Sequence, residues 1–261
     1  MKKSGLLVRD VVEALEALAP VREAESWDNV GLLVGDPRGA VRRVLVTVDY
    51  TPAVAAERAR AGAELVVAYH PAIFSGLKRL NTGNVVYDAV RAGVALYAVH
   101  TALDVAAGGT NDVLAALVGL RDAEPLRRRP APSPLGLGRV GRVAGVSRAG
   151  LCDRVKQALG LDRVLVAGPL TGSARRVAVC AGACGDLVDD ALAAGADVYV
   201  TGELKHHDAL RAAAAGMTVI CTLHSNGERP GVAAMGAALA RALPGLRVRM
   251  SRADRDPYSI R

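Results

Sequence analysis

Val8, Val11, Val12, Leu15 and Leu18 recur at helical intervals, with Arg9, Asp10, Glu13 and Glu16 between them, which predicts an amphipathic helix near the amino end. Further along, the pattern changes to short continuous apolar runs: Val44 to Val48, Leu65 to Tyr69, Val94 to Val99 and Met217 to Leu223. These read as strands. After the first of them, Thr51 and Pro52 supply an N-cap and a first-turn proline for a helix through Ala61, which Gly62 ends. A second helix is expected near Val85 to Arg91, ending at Gly93. Strands alternating with helices favour a mostly parallel sheet covered on both faces.

The pattern repeats. Arg42-Arg43-Val44-Leu45-Val46 matches Arg175-Arg176-Val177-Ala178-Val179, and Ala61-Gly62-Ala63-Glu64-Leu65 matches Ala194-Gly195-Ala196-Asp197-Val198, both at an offset of 133 residues. That offset sets His70 opposite Glu203. The expected fold is therefore α/β, two similar three-layer units related by internal duplication. The first unit is placed at 1–126, with 229–261 packing back onto it, and the second at 127–228. A linker is expected at about 121–141, where Pro125, Pro130, Pro132, Pro134, Gly136, Gly138 and Gly141 interrupt periodicity.

The chemistry sits at the strand ends. His100-Thr101-Ala102-Leu103-Asp104 and His224-Ser225-Asn226-Gly227-Glu228 share one pattern, a histidine followed four residues later by an acid, and match at an offset of 124. Each follows an apolar run, and ligands in open α/β sheets gather where strands end. Imidazole and carboxylate together suit a divalent cation, zinc, iron or manganese. His70 ends another strand. If the units pack about a pseudo-two-fold axis, His100 and Asp104 are expected to meet His224 and Glu228 in one shared site.

Composition narrows the classes. Among 261 residues, 51% are hydrophobic, ample for a packed core. The charges that interrupt the first helix argue against a signal peptide, and no apolar run reaches the roughly 20 residues needed to span a bilayer. A net charge of +7 suggests nucleic acid, but only 3% of residues are aromatic and the basic residues are dispersed, so no nucleic-acid partner is expected. Cys152, Cys180, Cys184 and Cys221 lack zinc-site spacing and read as reduced thiols of a cytoplasmic protein. The segment Gly182-Ala183-Cys184-Gly185-Asp186 lacks a Walker pattern and is expected to be a tight strand-to-helix turn.

Several motifs in order resemble the NIF3-like family, also called GTP cyclohydrolase 1 type 2 homologues. They are Ser26-Trp27-Asp28-Asn29-Val30-Gly31-Leu32, Tyr69-His70-Pro71-Ala72-Ile73-Phe74, His100 to Asp104, Gly108-Gly109-Thr110-Asn111-Asp112, Gly202-Glu203-Leu204-Lys205-His206-His207, and His224 to Arg229. The resemblance covers nearly the whole chain. It implies a dinuclear divalent-metal site, up to two ions per chain, and a ring-shaped homo-hexamer. The implied ligands are His70, Asp104, His224 and Glu228, with Glu228 able to bridge both ions and His100 as orienting or auxiliary ligand. Asp104 and Glu228 are the implied catalytic carboxylates. Glu203, Lys205, His206 and Arg229 are placed around the ligands or in the pocket wall.

One departure concerns Tyr69, which stands where many members have histidine. A phenol, with a pKa of about 10, is the poorer ligand, so the second ion is expected to bind more loosely. The resemblance implies a metal-dependent hydrolase acting on a nucleotide such as GTP, or on a related phosphorylated small molecule. The alternative is a metal-binding regulatory or interaction protein without turnover.

Overall fold

The structure, a computed structural model, describes residues 5–258 and divides into two compact units. The first comprises the chain to Ala106 together with Val232–Arg255. Its elements are α1 (Val8–Leu18), β1 (Gly31–Val34), β2 (Arg43–Thr47), α2 (Pro52–Ala61), β3 (Leu65–Ala68), α3 (Val85–Arg91), β4 (Ala95–Ala98), α4 (His100–Val105) and, from the end of the chain, β11 (Arg247–Met250). The sheet order is β1-β4-β3-β2-β11, parallel throughout except for β1, which pairs antiparallel with β4.

Alternation along each strand makes this sheet the middle layer. Val44, Val46, Leu65, Val67, Ala95 and Tyr97 point into one core with Val11 and Leu15 of α1. Leu45, Val66, Ala68 and Leu96 point into the opposite one with Val54 of α2 and Ala89 of α3. Burial on both faces is why these runs are apolar without interruption. The α2 boundaries follow local chemistry: Thr51 Oγ1 accepts the Val54 N–H at 3.3 Å, and Gly62 closes the helix at φ 61.

The second unit holds Ala107–Gly231 and the chain from Asp256. It contains α5 (Thr110–Val118), β5 (Arg121–Arg128), β6 (Gly136–Ser147), α6 (Arg148–Leu159), β7 (Leu165–Ala167), β8 (Ser173–Cys180), α7 (Val188–Ala193), β9 (Val198–Thr201), α8 (His206–Ala214), β10 (Thr218–Cys221) and the start of α9 (His224–Ala242). From Val232 the helix belongs to the first unit, where Val232, Met235 and Leu239 enter its core. The sheet order is β5-β6-β8-β9-β10-β7, with β8, β9 and β10 parallel. Val177, Val179, Val198, Val200 and Ile220 face α5 and α6, while Ala178, Tyr199 and Val219 face α7 and α8.

The duplication holds at backbone register. Val44 pairs with Leu65 in the first sheet, and Val177 with Val198 in the second, each 133 residues later. The third strand keeps a different offset: Leu65 pairs with Ala95, and Val198 with Thr218. His100 therefore stands at the register position of Leu223, one residue before His224. Both His100 (φ 23) and Leu223 (φ 64) are left-handed, so the second unit spends one extra residue before its motif begins.

Residues 121–128 and 136–147, in the stretch expected to be a linker, form β5 and β6, paired antiparallel with each other. Pro125 is tolerated because β5 is the edge of the sheet. Gly136 and Gly141 admit close backbone approach: a Cβ on Gly141 would lie 2.7 Å from the Arg121 carbonyl oxygen. Pro125, Gly136 and Gly141 are thus features of strand packing, while Pro130, Pro132 and Pro134 lie in the connection between the two strands.

Candidate functional site

In the first unit, candidate side chains gather where β2, β3 and β4 end. Ladder bonds continue past the strands, with the Tyr69 N–H donating to the Thr47 carbonyl at 2.9 Å, the His70 N–H to Val48 at 3.0 Å and the His100 N–H to Tyr69 at 3.0 Å. This sets His70 and His100 side by side, their ring centroids 5.3 Å apart. The His70 Nδ1 meets Asp49 Oδ1 at 2.9 Å. The His100 Nδ1 meets Asp28 Oδ1 at 2.8 Å.

Asp28 also accepts the Thr101 N–H at 3.1 Å and the Thr101 hydroxyl at 2.5 Å. Burial pushes its carboxyl pKa upward, but the hydrogen bonds from His100 and Thr101 outweigh burial and hold it below the usual value. A carboxylate on Nδ1 favours the tautomer with its proton there, and Nε2 then carries the lone pair. Tyr69, almost fully buried, donates its hydroxyl to Asp104 Oδ1 at 2.6 Å. The Tyr69 phenol thus holds a candidate carboxylate ligand in place.

In the second unit the same arrangement recurs. His224 and Glu228 lie one turn apart on α9, with His224 Nε2 and Glu228 Oε1 3.2 Å apart. The His224 Nδ1 meets Glu203 Oε1 at 3.1 Å, and Glu203 lies just beyond β9 as His70 lies just beyond β3. Glu228 is 1% exposed. Gly182 makes its approach possible, since a Cβ there would stand 2.7 Å from Glu228 Oε1 and the backbone is left-handed at φ 76. The expected tight turn is present: the chain passes from β8 through residues 181–184 into a short 3-10 turn, Gly185–Leu187, and then α7.

Zinc, iron or manganese ligands of this kind sit at roughly 2.0 to 2.2 Å, so two donors on one ion lie roughly 3 to 3.5 Å apart. The His224 and Glu228 pair has that spacing. Lys205 and His206, expected in the pocket wall, are exposed at the start of α8 together with His207. The Arg229 Nη2 donates to Ser225 Oγ at 3.1 Å, one turn back along α9. Cys221 adds no ready thiolate, because burial pushes its pKa up to about 11.

Asp49 and Asp28 are not among the residues that the sequence marks as candidates for the site. Neither has a motif spacing to its histidine, 21 and 72 residues away. The available signal is positional: Asp49 follows β2 and Asp28 lies in a polar turn.

Comparison with known proteins agrees with this architecture. Residues 6–257 match the model of the Duf34/NIF3 (NGG1p interacting factor 3) family. A Lactococcus lactis protein called GTP cyclohydrolase 1 type 2 homolog is 37% identical over 207 residues, covering 77% of this chain and 79% of its own. The NIF3-like protein 1 of Drosophila melanogaster is 34% identical, covering 97% of this chain and 89% of its own. Among solved structures, a Bacillus cereus protein related to NIF3 shares the fold at a TM-score of 0.93 and 22% identity, covering 99% of this chain and 100% of its own. With strand-end histidines pinned by carboxylates in both units, and a family match over nearly all of its length, the chain belongs to the Duf34/NIF3 family.

Proposed function

We propose that His70, Asp104, His224 and Glu228, with His100 as auxiliary ligand, hold up to two divalent ions, and that the protein is a metal-dependent hydrolase of the GTP cyclohydrolase 1 type 2 kind. Its substrate is a nucleotide or a related phosphorylated small molecule. One observation carries the reading: His70, His100 and His224 each have Nδ1 against a carboxylate oxygen, at 2.9, 2.8 and 3.1 Å. That pairing orients imidazoles for metal. The donor set of neutral imidazole and carboxylate fits zinc, iron or manganese.

When bound, such ions lower the pKa of water toward neutrality and polarise an electrophile, which is the chemistry of hydrolysis. The chain's own groups do the rest. Asp49, Asp28 and Glu203 fix the tautomers, and Tyr69 fixes Asp104. Glu228, carried on α9 beside His224, is the carboxylate that would be shared between the ions. Lys205 and Arg229 supply positive charge near the motifs for a substrate phosphate. The name of the Lactococcus lactis relative is what points this reading toward GTP.

Protein purified without chelator should contain zinc, iron or manganese and should release product from GTP or another nucleotide. Asp104→Asn should abolish that turnover. Protein that stays metal-free after soaking in each of the three ions would overturn the metal reading. Metal-loaded protein inert toward a nucleotide panel would leave a binding role in place of catalysis.

A further inference from the structure

We propose that Trp27 and Phe74 form a stacking platform for the planar base of a nucleotide. The chain contains one tryptophan and one phenylalanine, and both are exposed, at 58% and 56%. They lie on different loops, one before β1 and one after β3, yet their ring centroids are 6.0 Å apart at an interplanar angle of 53°. That tilt keeps the two faces from covering each other. Both rings also meet the His100 imidazole, at 5.9 Å from Trp27 and 6.5 Å from Phe74.

The platform is pinned. The Asn29 side-chain amide donates to the Ile73 carbonyl at 2.6 Å, tying the tryptophan loop to the phenylalanine loop. Asp28, adjacent to Trp27, is bound to both His100 and Thr101. The Glu25 N–H donates to Thr101 Oγ1 at 2.9 Å, closing the same loop from its other end. Exposed aromatic rings held in fixed positions lose little freedom on binding a flat ligand. Their shared neighbour, His100, belongs to the candidate metal cluster, so the flat group that fits is the substrate's base, held beside that cluster. This rests on the nucleotide reading above.

Trp27 is the chain's only tryptophan, so its emission reports the platform directly. Full-length protein, as purified, is titrated with GMP, CMP and ribose 5-phosphate, which share sugar and phosphate and differ in the base. GMP should quench Trp27 saturably, CMP more weakly, and ribose 5-phosphate should leave it unchanged. Phe74→Ala should weaken GMP about tenfold, equivalent to about 1.4 kcal/mol, and Phe74→Tyr should restore it. No quenching by GMP, equal effects of all three probes, or unchanged GMP affinity in Phe74→Ala would each overturn the platform. A change of oligomeric state in Phe74→Ala with GMP quenching intact would do so too, and would identify a self-association surface. Metal content, measured separately on the same protein, tests the preceding proposal and leaves this titration unaffected.

Discussion

At the scale of single residues, the histidines are distinguished less by their own positions than by the carboxylates behind them. A strand-end histidine is legible in a sequence as apolar run then imidazole, but its orienting acid comes from another part of the chain. Only Glu203 was reachable, because the duplication sets it opposite His70. Asp28 and Asp49 carry no such mark. Replacing an orienting acid typically lowers metal affinity 10- to 100-fold while sparing the fold. Asp49→Asn should therefore reduce zinc affinity by about tenfold or more in a competition titration with a chromophoric chelator; affinity equal to wild type would show that the His70 pairing does not serve metal. Tyr69 makes a second test. Its hydroxyl holds Asp104, so Tyr69→Phe should weaken metal binding, whereas Tyr69→His should raise the metal content toward two per chain. An unchanged content in both variants would separate Tyr69 from the site.

Among the elements, the duplication extends to individual hydrogen bonds. Glu64 Oε2 accepts the N–H groups of Arg42 and Arg43 at 3.2 and 2.8 Å, and Asp197 Oδ2 accepts those of Arg175 and Arg176 at 2.8 and 2.9 Å. An acid 21 residues beyond the second arginine of the pair thus binds the backbone of the Arg-Arg pair at β2 in the first unit and within β8 in the second. Burial pushes the Glu64 carboxyl up, but its bonds with Arg43 and the two amides hold it below the usual value. A carboxyl with a depressed folded pKa stabilises at pH above its unfolded value and loses that contribution as pH falls through the folded one. Glu64→Gln should consequently cost about 1 kcal/mol at neutral pH. The gap from wild type should shrink below the carboxylate range in urea denaturation, and a gap independent of pH would contradict the ionised role.

The strands and helices of the βα repeats were readable because their apolar runs are buried on both faces. β5 and β6 were hidden because close backbone contact and an edge position call for the same glycines and prolines that mark a linker. Gly182 illustrates the same ambiguity at one position. It reads as a turn residue, yet its lack of a side chain makes room for Glu228. Gly182→Ala should lower metal content by displacing that carboxylate, readable by elemental analysis, with metal content equal to wild type as the opposing result.

Across the whole molecule, the fold class follows from pattern and duplication and the family from its ordered motifs and the match over residues 6–257, while the substrate does not, since hydrolysis of many phosphorylated compounds uses the same donors. Among the described residues no helix is long and apolar enough to cross a membrane. The ring-shaped hexamer that the family resemblance implies predicts a particle with the mass of six chains in light scattering, and a monomer across the working concentration range would contradict it. The shared metal site is the claim on which the functional reading depends, and it assigns ligands to both halves of the chain. Its most direct measurement is a zinc titration of apo-protein for wild type, His70→Ala and His224→Ala, each checked for folding by circular dichroism. A site built jointly predicts that either substitution alone weakens the tightest binding by about tenfold or more. Wild-type affinity in either folded variant would contradict a shared site.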